Sequence, residues 1–85
     1  MQTDQIARTV KDYILQEFLP GENPDALATT TPLITGGILD SISTIRLVSF
    51  LEEQYGIEFA AHEIGAEHLD TIAGIVATVE AKVPR

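Results

Sequence analysis

One serine stands where its hydroxyl can meet a reagent from outside the chain. The run Gly36-Gly37-Ile38-Leu39-Asp40-Ser41-Ile42 leads directly into the spacing Ile45, Val48, Leu51, Tyr55. That spacing predicts an amphipathic helix opening at Ser41. Asp40 can cap it by accepting from the free N–H groups of the first turn. A hydroxyl there faces unpaired N–H groups and the positive end of the helix dipole, so a phosphate on it would be stabilised. Taken alone, Asp40-Ser41 also reads as an ordinary capping pair. The apolar residues on either side make Ser41 a poor buried serine and a good one to offer to another protein.

Other chemistries find little support. The chain has no cysteine, which removes disulfides, thiol nucleophiles and thiolate zinc sites. His62 and His68 are six residues apart, not the four that brings two imidazoles together on a helix. The acids lack the D-x-D-x-D-G order of a calcium loop. Ser41 is not in a G-x-S-x-G elbow, and no base or oxyanion arrangement can be named around it, so a hydrolase is disfavoured. Gly36-Gly37 lacks the lysine and preceding strand of a phosphate loop, and reads as a chain reversal.

The elements that must position Ser41 are helices. At 85 residues the chain is expected to form one domain over 1–85, small but able to bury a core. Ile6, Val10, Ile14 and Phe18, widened by Ala7, Leu15 and Leu19, predict a helix over about 3–19. Thr3 is its expected N-cap and Pro20-Gly21 its stop. The second helix runs over about 41–55 and closes at Gly56. A short helix over about 60–65 is expected to bring Ile64 to the core. The last covers about 70–83, started by Asp70, with Ile72, Ile75, Val76, Val79 and Val83 on its stripe and Pro84 beyond. Gly74 inside it should cost about 1 kcal/mol relative to alanine. Residues 20–40 form a long connection that needs tethers, for which Leu27, Leu33, Ile34, Ile38 and Leu39 are the candidates. The fold class is all-α: a four-helix bundle of three long helices, one short helix and a long first loop.

Thirteen acidic residues against five basic ones leave a net charge of −8. Nucleic acids and anionic membrane surfaces need the opposite sign. A basic protein partner is the natural complement, with charge steering the encounter. No apolar run approaches the roughly 18 residues of a membrane span, and Met1-Gln2-Thr3-Asp4 does not resemble a signal peptide. The expectation is a free-standing cytoplasmic domain, monomeric by default.

Leu39-Asp40-Ser41-Ile42, with Ile45, Leu47-Val48 and Leu51-Glu52-Glu53-Gln54-Tyr55-Gly56-Ile57, resembles the attachment region of acyl and peptidyl carrier proteins. The likeness continues through Glu58-Phe59 and His68-Leu69-Asp70-Thr71-Ile72 and covers essentially the whole chain. It implies the four-helix carrier fold and a serine, Ser41, to which a phosphopantetheinyl transferase joins 4′-phosphopantetheine from coenzyme A. It further implies that Asp40 helps place the transferase's magnesium and that Ile42 presents an apolar contact to partner enzymes. The cargo would be an acyl or aminoacyl group held as a thioester. An activating ligase would load it, and a downstream transferase or synthase would receive it. The carrier itself would not be an enzyme.

The chain also departs from the family pattern. Ile42 stands where leucine is commoner, Leu69 where an aromatic is common, and Ser43 and Arg46 where fatty-acid carriers often have acids. Arg46 therefore suggests a dedicated pathway rather than general fatty-acid synthesis. Glu52 and Glu53 form an acidic pair that reads as a solvated face, or within a carrier as a contact for basic partners. The rival class is an unmodified acidic helical adaptor that binds a partner helix or a lipid-like ligand and needs no exposed serine.

Overall fold

The computed structural model describes residues 2–83, with side chains from Asp4 onward. Helix α1 spans Gln2–Phe18, α2 Ser41–Tyr55, α3 Ala66–Leu69 and α4 Ile72–Lys82. Short 3-10 turns occupy Pro24–Ala26 and Ala61–Glu63, and no strand occurs among the described residues. The architecture is an all-helical bundle of three long helices and one short one, with a long connection between α1 and α2.

Periodicity explains how the helices meet. Ile6, Val10 and Ile14 are buried along one stripe of α1, and Ile72, Ile75, Val76 and Val79 along one stripe of α4. The two helices pack together on these stripes, with α2 against α1 and α3 against α4. From α2 come Leu47, Val48 and Leu51. Three long helices alone leave the core open at one end. The α1–α2 connection closes it by burying Leu27, Leu33 and Leu39, while Ile34 and Ile38 pack half-buried at its edge.

Several boundaries differ from the sequence reading, each for a local reason. Helix α1 already includes Gln2, so Thr3 lies within its first turn rather than capping it. Asp70 does not start the last helix. Thr71 caps α4, its hydroxyl accepting from the Gly74 N–H at 2.9 Å, and Asp70 is engaged elsewhere. The expected helix over 60–65 is instead a 3-10 turn followed, after an extended Gly65, by α3 at Ala66–Leu69. Ile64 is only half-buried there. Ile45, placed on the α2 stripe by its spacing, points outward with 52% of its surface exposed. Gly74 is not merely a weak helix former. A Cβ there would come within 3.0 Å of the His68 carbonyl oxygen, so the α3–α4 junction packs too closely for a side chain. Pro84, expected to end the last helix, lies outside the described residues.

The turn at Ala61–Glu63 is fastened from two sides. The Ala60 N–H donates to Glu63 Oε1 at 2.8 Å, and Lys82 of α4 donates to the same oxygen at 2.7 Å. Lys82 also lies 5.4 Å from the centre of the Phe59 ring. On the outer side of the bundle, Tyr13 stacks on Phe50 at 4.0 Å and donates its hydroxyl to the Arg46 carbonyl at 3.3 Å, joining α1 to α2.

Leu33 sits in a loop yet is 0% exposed, as is Leu47 in the middle of α2. Truncating either removes a fully buried side chain from the same core cluster. Leu33→Ala should therefore destabilise the fold by about 2–5 kcal/mol, as much as Leu47→Ala. Urea unfolding of the two variants against the parent chain measures this; a loss under about 1 kcal/mol for Leu33→Ala would mean the loop does not share the core.

Candidate functional site

The chain reaches Ser41 through a closed loop. The Leu39 N–H donates to the Leu33 carbonyl at 2.8 Å, forming a neck between two buried leucines. Inside it the Gly37 N–H donates to the Ile34 carbonyl at 3.1 Å, and Gly37 takes φ +83°, a left-handed conformation that favours glycine. Gly36 is required by space, since a Cβ would fall 2.3 Å from the Pro32 carbonyl oxygen. Gly36-Gly37 is thus the chain reversal that delivers Asp40 and Ser41 to the head of α2.

Asp40 caps that head. Its Oδ1 accepts from the Ser43 N–H at 2.7 Å, and its carbonyl accepts from the Thr44 N–H at 2.9 Å and the Thr44 hydroxyl at 2.7 Å. The Ser43 N–H, helped by the Ser43 hydroxyl, holds the Asp40 carboxyl below the ordinary aspartate value. Because Asp40 satisfies the helix start, Ser41 is left over. It is exposed, and among the described residues no hydrogen bond engages its hydroxyl. A surface groove of about 470 Å³ lies alongside, between Ile34 and Leu39 of the loop, Ser41 and Ile45 of α2, and Ile64 and Gly65. A hydroxyl oxygen able to act as a nucleophile, with no hydrogen bond among the described residues, stands at the edge of a half-apolar trough.

A family model described as "Phosphopantetheine attachment site" matches residues 14–79. This chain belongs to that carrier-protein family. Probable acyl carrier protein PigG from Serratia sp. (strain ATCC 39006) is 33% identical over 69 residues, spanning 81% of this chain and 78% of PigG. A chain from a solved structure described as "Crystal structure of FAD-dependent dehydrogenase" is 36% identical with a TM-score of 0.74. The alignment covers 82% of this chain and 97% of that one. The prosthetic group of the family is 4′-phosphopantetheine, and a free hydroxyl at a helix start with a trough beside it fits such a group.

The carrier's remaining candidate residues separate into two groups. Near Ser41 are Ile42, 72% exposed, and Arg46, whose guanidinium leans 3.8 Å from Glu17 of α1. Both members of that pair are well exposed, so it contributes little to stability. Glu52 and Glu53 lie about 16 Å further along the helix, from a rise of about 1.5 Å per residue. They do not act as a matched pair: Glu52 Oε2 accepts from the Phe59 N–H at 2.9 Å and is half-buried, while Glu53 is exposed. Glu63 is held by Lys82, and Glu67 is exposed on α3. His62 and His68 meet edge to face at 6.5 Å, and among the described residues no group of three or more ligating side chains could hold a metal. No described helix is long and apolar enough to cross a membrane.

The sequence reading missed Asp70. Its carboxylate accepts from the Ile34 and Thr35 N–H groups and from the Thr35 hydroxyl, each at 2.8 Å. No local signal could have shown this, because the partners lie 35 and 36 residues away.

Three carboxyls are held below their ordinary values: Asp40 by Ser43, Asp70 by Thr35 and Ile34, and Glu63 by Lys82 and the Ala60 N–H. Their folded values lie under the unfolded ones of about 3.9 for Asp and 4.3 for Glu. Their stabilisation is therefore complete above that range and is lost as pH falls through the folded values. Melting temperature should hold between pH 7 and 5 and fall steeply below about pH 4. Asp40→Asn, which still caps a helix, should make that acid limb shallower while Asp70 and Glu63 keep their share; an unchanged limb would show that the cap's charge contributes nothing.

Proposed function

We propose that residues 1–85 form one carrier domain, not itself an enzyme, and that Ser41 is its attachment residue. The observation that carries this reading is the exposed, unbonded Ser41 hydroxyl at a helix start that Asp40 already caps. On attachment, a phosphodiester forms at Ser41 Oγ, the hydroxyl proton leaves, and the adenosine bisphosphate portion of coenzyme A departs. When bound, the prosthetic group supplies the thiol that holds an acyl or aminoacyl cargo, a function this cysteine-free chain cannot provide. The chain's own residues orient the site. Asp40 fixes the first turn, and its carboxylate would help to hold the transferase's magnesium, while the trough between the loop and α2 offers the arm a half-apolar surface.

Partner enzymes meet the head of α2 in this reading. Ile42 and Ile45 are exposed there, and Arg46 is the one charged residue between Ser41 and Leu51. Partners that rely on a basic patch gain little from that stretch, which favours a dedicated biosynthetic pathway over general fatty-acid synthesis. Glu53 is the better candidate for a charged contact further along, since the Glu52 carboxylate is occupied by the Phe59 N–H. Besides the phosphopantetheinyl transferase, the partners are an activating ligase and a downstream transferase or synthase. The likeness to a chain from a FAD-dependent dehydrogenase structure supports a flavoenzyme among them, acting on the tethered cargo. We place the chain in the cytoplasm and take it to work as a monomer.

Intact mass before and after incubation with coenzyme A, magnesium and a broad-specificity phosphopantetheinyl transferase tests the assignment. One phosphopantetheine-sized gain is expected in the parent chain and none in Ser41→Ala, with helical circular dichroism unchanged. No gain in a folded parent chain would leave Asp40-Ser41 as a helix cap and favour an unmodified helical adaptor.

A further inference from the structure

The α1–α2 connection is held at the junction of α3 and α4, chiefly through Asp70. Asp70 receives four hydrogen bonds from three consecutive residues of the connection. The Leu33 N–H donates to its carbonyl at 2.5 Å, the Ile34 and Thr35 N–H groups to Oδ1, and the Thr35 hydroxyl to Oδ2. A second tie runs alongside, from the Ala73 N–H to the Thr29 carbonyl at 3.0 Å. The clamp grips the base of the loop that closes at the Leu33–Leu39 neck, one residue before Asp40 and two before Ser41. Ile34, which the carboxylate holds, and Leu39 also form the loop-side wall of the trough at Ser41.

We propose that Asp70 is a positioning residue for the modification of Ser41. It fixes the loop that a transferase must grasp together with the hydroxyl. This inference rests on Ser41 being the attachment residue. The physical argument concerns what stays when the clamp is lost. Leu33 and Leu39 remain buried and Asp40 still caps α2, so the fold and the Ser41 hydroxyl survive. What is lost is the fixed path of residues 34–38, whose N–H groups at Ile34 and Thr35 have no second acceptor. A loop that visits other paths presents the competent surface only part of the time. Apparent affinity then drops by the competent fraction, while the rate within the complex is kept. The signature is a raised KM for the carrier with kcat preserved.

Asparagine separates geometry from charge. Its amide oxygen can still accept from both N–H groups, and its NH2 can donate to the Thr35 hydroxyl, so Asp70→Asn keeps the clamp. Asp70→Ala removes all three side-chain bonds. Thr35→Val removes only the one to Oδ2 and serves as the milder variant should alanine destabilise the fold.

The experiment is modification kinetics followed by intact mass, with coenzyme A, magnesium and the broad-specificity transferase, at varied carrier concentration. Asp70→Ala should raise KM by about tenfold with kcat within about twofold, a loop competent roughly a tenth of the time. Thr35→Val should fall between it and the parent, and Asp70→Asn should match the parent. Amide hydrogen exchange across residues 33–41 runs in parallel and should quicken in Asp70→Ala but not in Asp70→Asn. Unchanged KM in Asp70→Ala, a loss confined to kcat, or asparagine as impaired as alanine would each overturn the positioning role. An unmodified parent chain would instead overturn the attachment reading. In that case unchanged exchange in Asp70→Ala would separately refute the clamp.

Discussion

Burial of Leu33 and Leu39 is the contact on which the rest of this molecule depends. Three amphipathic helices of this length cannot enclose a core without something across their open end, and a connection of irregular backbone has to serve. It can do so only if its own peptide groups find partners, because an unpaired buried N–H or carbonyl is costly. The Leu33 carbonyl is met by the Leu39 N–H, and the Leu33, Ile34 and Thr35 N–H groups all turn to Asp70. Apolar closure and polar satisfaction are thus one arrangement, and the head of α2 is suspended from it.

The parts of the structure that were legible in the sequence are those decided within a few residues. Ile6, Val10 and Ile14 recur at helical spacing and lie buried together in α1. Asp40 and Gly56 mark the ends of α2 by their chemistry: a short acceptor at one end, a residue content with φ +65° at the other. Spacing could not tell which flank of the stripe meets the core, so Ile45 was placed inward and is exposed. At the start of α4, Asp70 and Thr71 are both good capping residues. The choice between them was made by a loop 35 residues away. The trough beside Ser41 was likewise invisible, since one wall comes from Ile64 and Gly65 and exists only after packing.

Charge is distributed unevenly along α2. The chain carries −8 overall, yet Ser41 to Leu51 contains no acid and a single base. The acids of this helix begin at Glu52, and the first of them is turned inward to the Phe59 N–H. An approaching protein would feel the negative field of the whole molecule at long range. At contact it would meet isoleucine side chains and one arginine. Long-range attraction and short-range recognition are therefore separable on this surface, the first sensitive to salt and the second hardly so.

The division of labour between Asp40 and Ser41 has a thermodynamic consequence. Asp40 supplies the acceptor that the first turn needs, and the hydroxyl next to it contributes nothing to the helix. Substitution of that oxygen by a larger group would leave every described internal bond in place. Only a group that touched the folded surface could then shift the folding equilibrium. The internal bonds of the scaffold thus do not depend on what that oxygen carries, and any change in stability on substitution there would report contact between the added group and the folded surface.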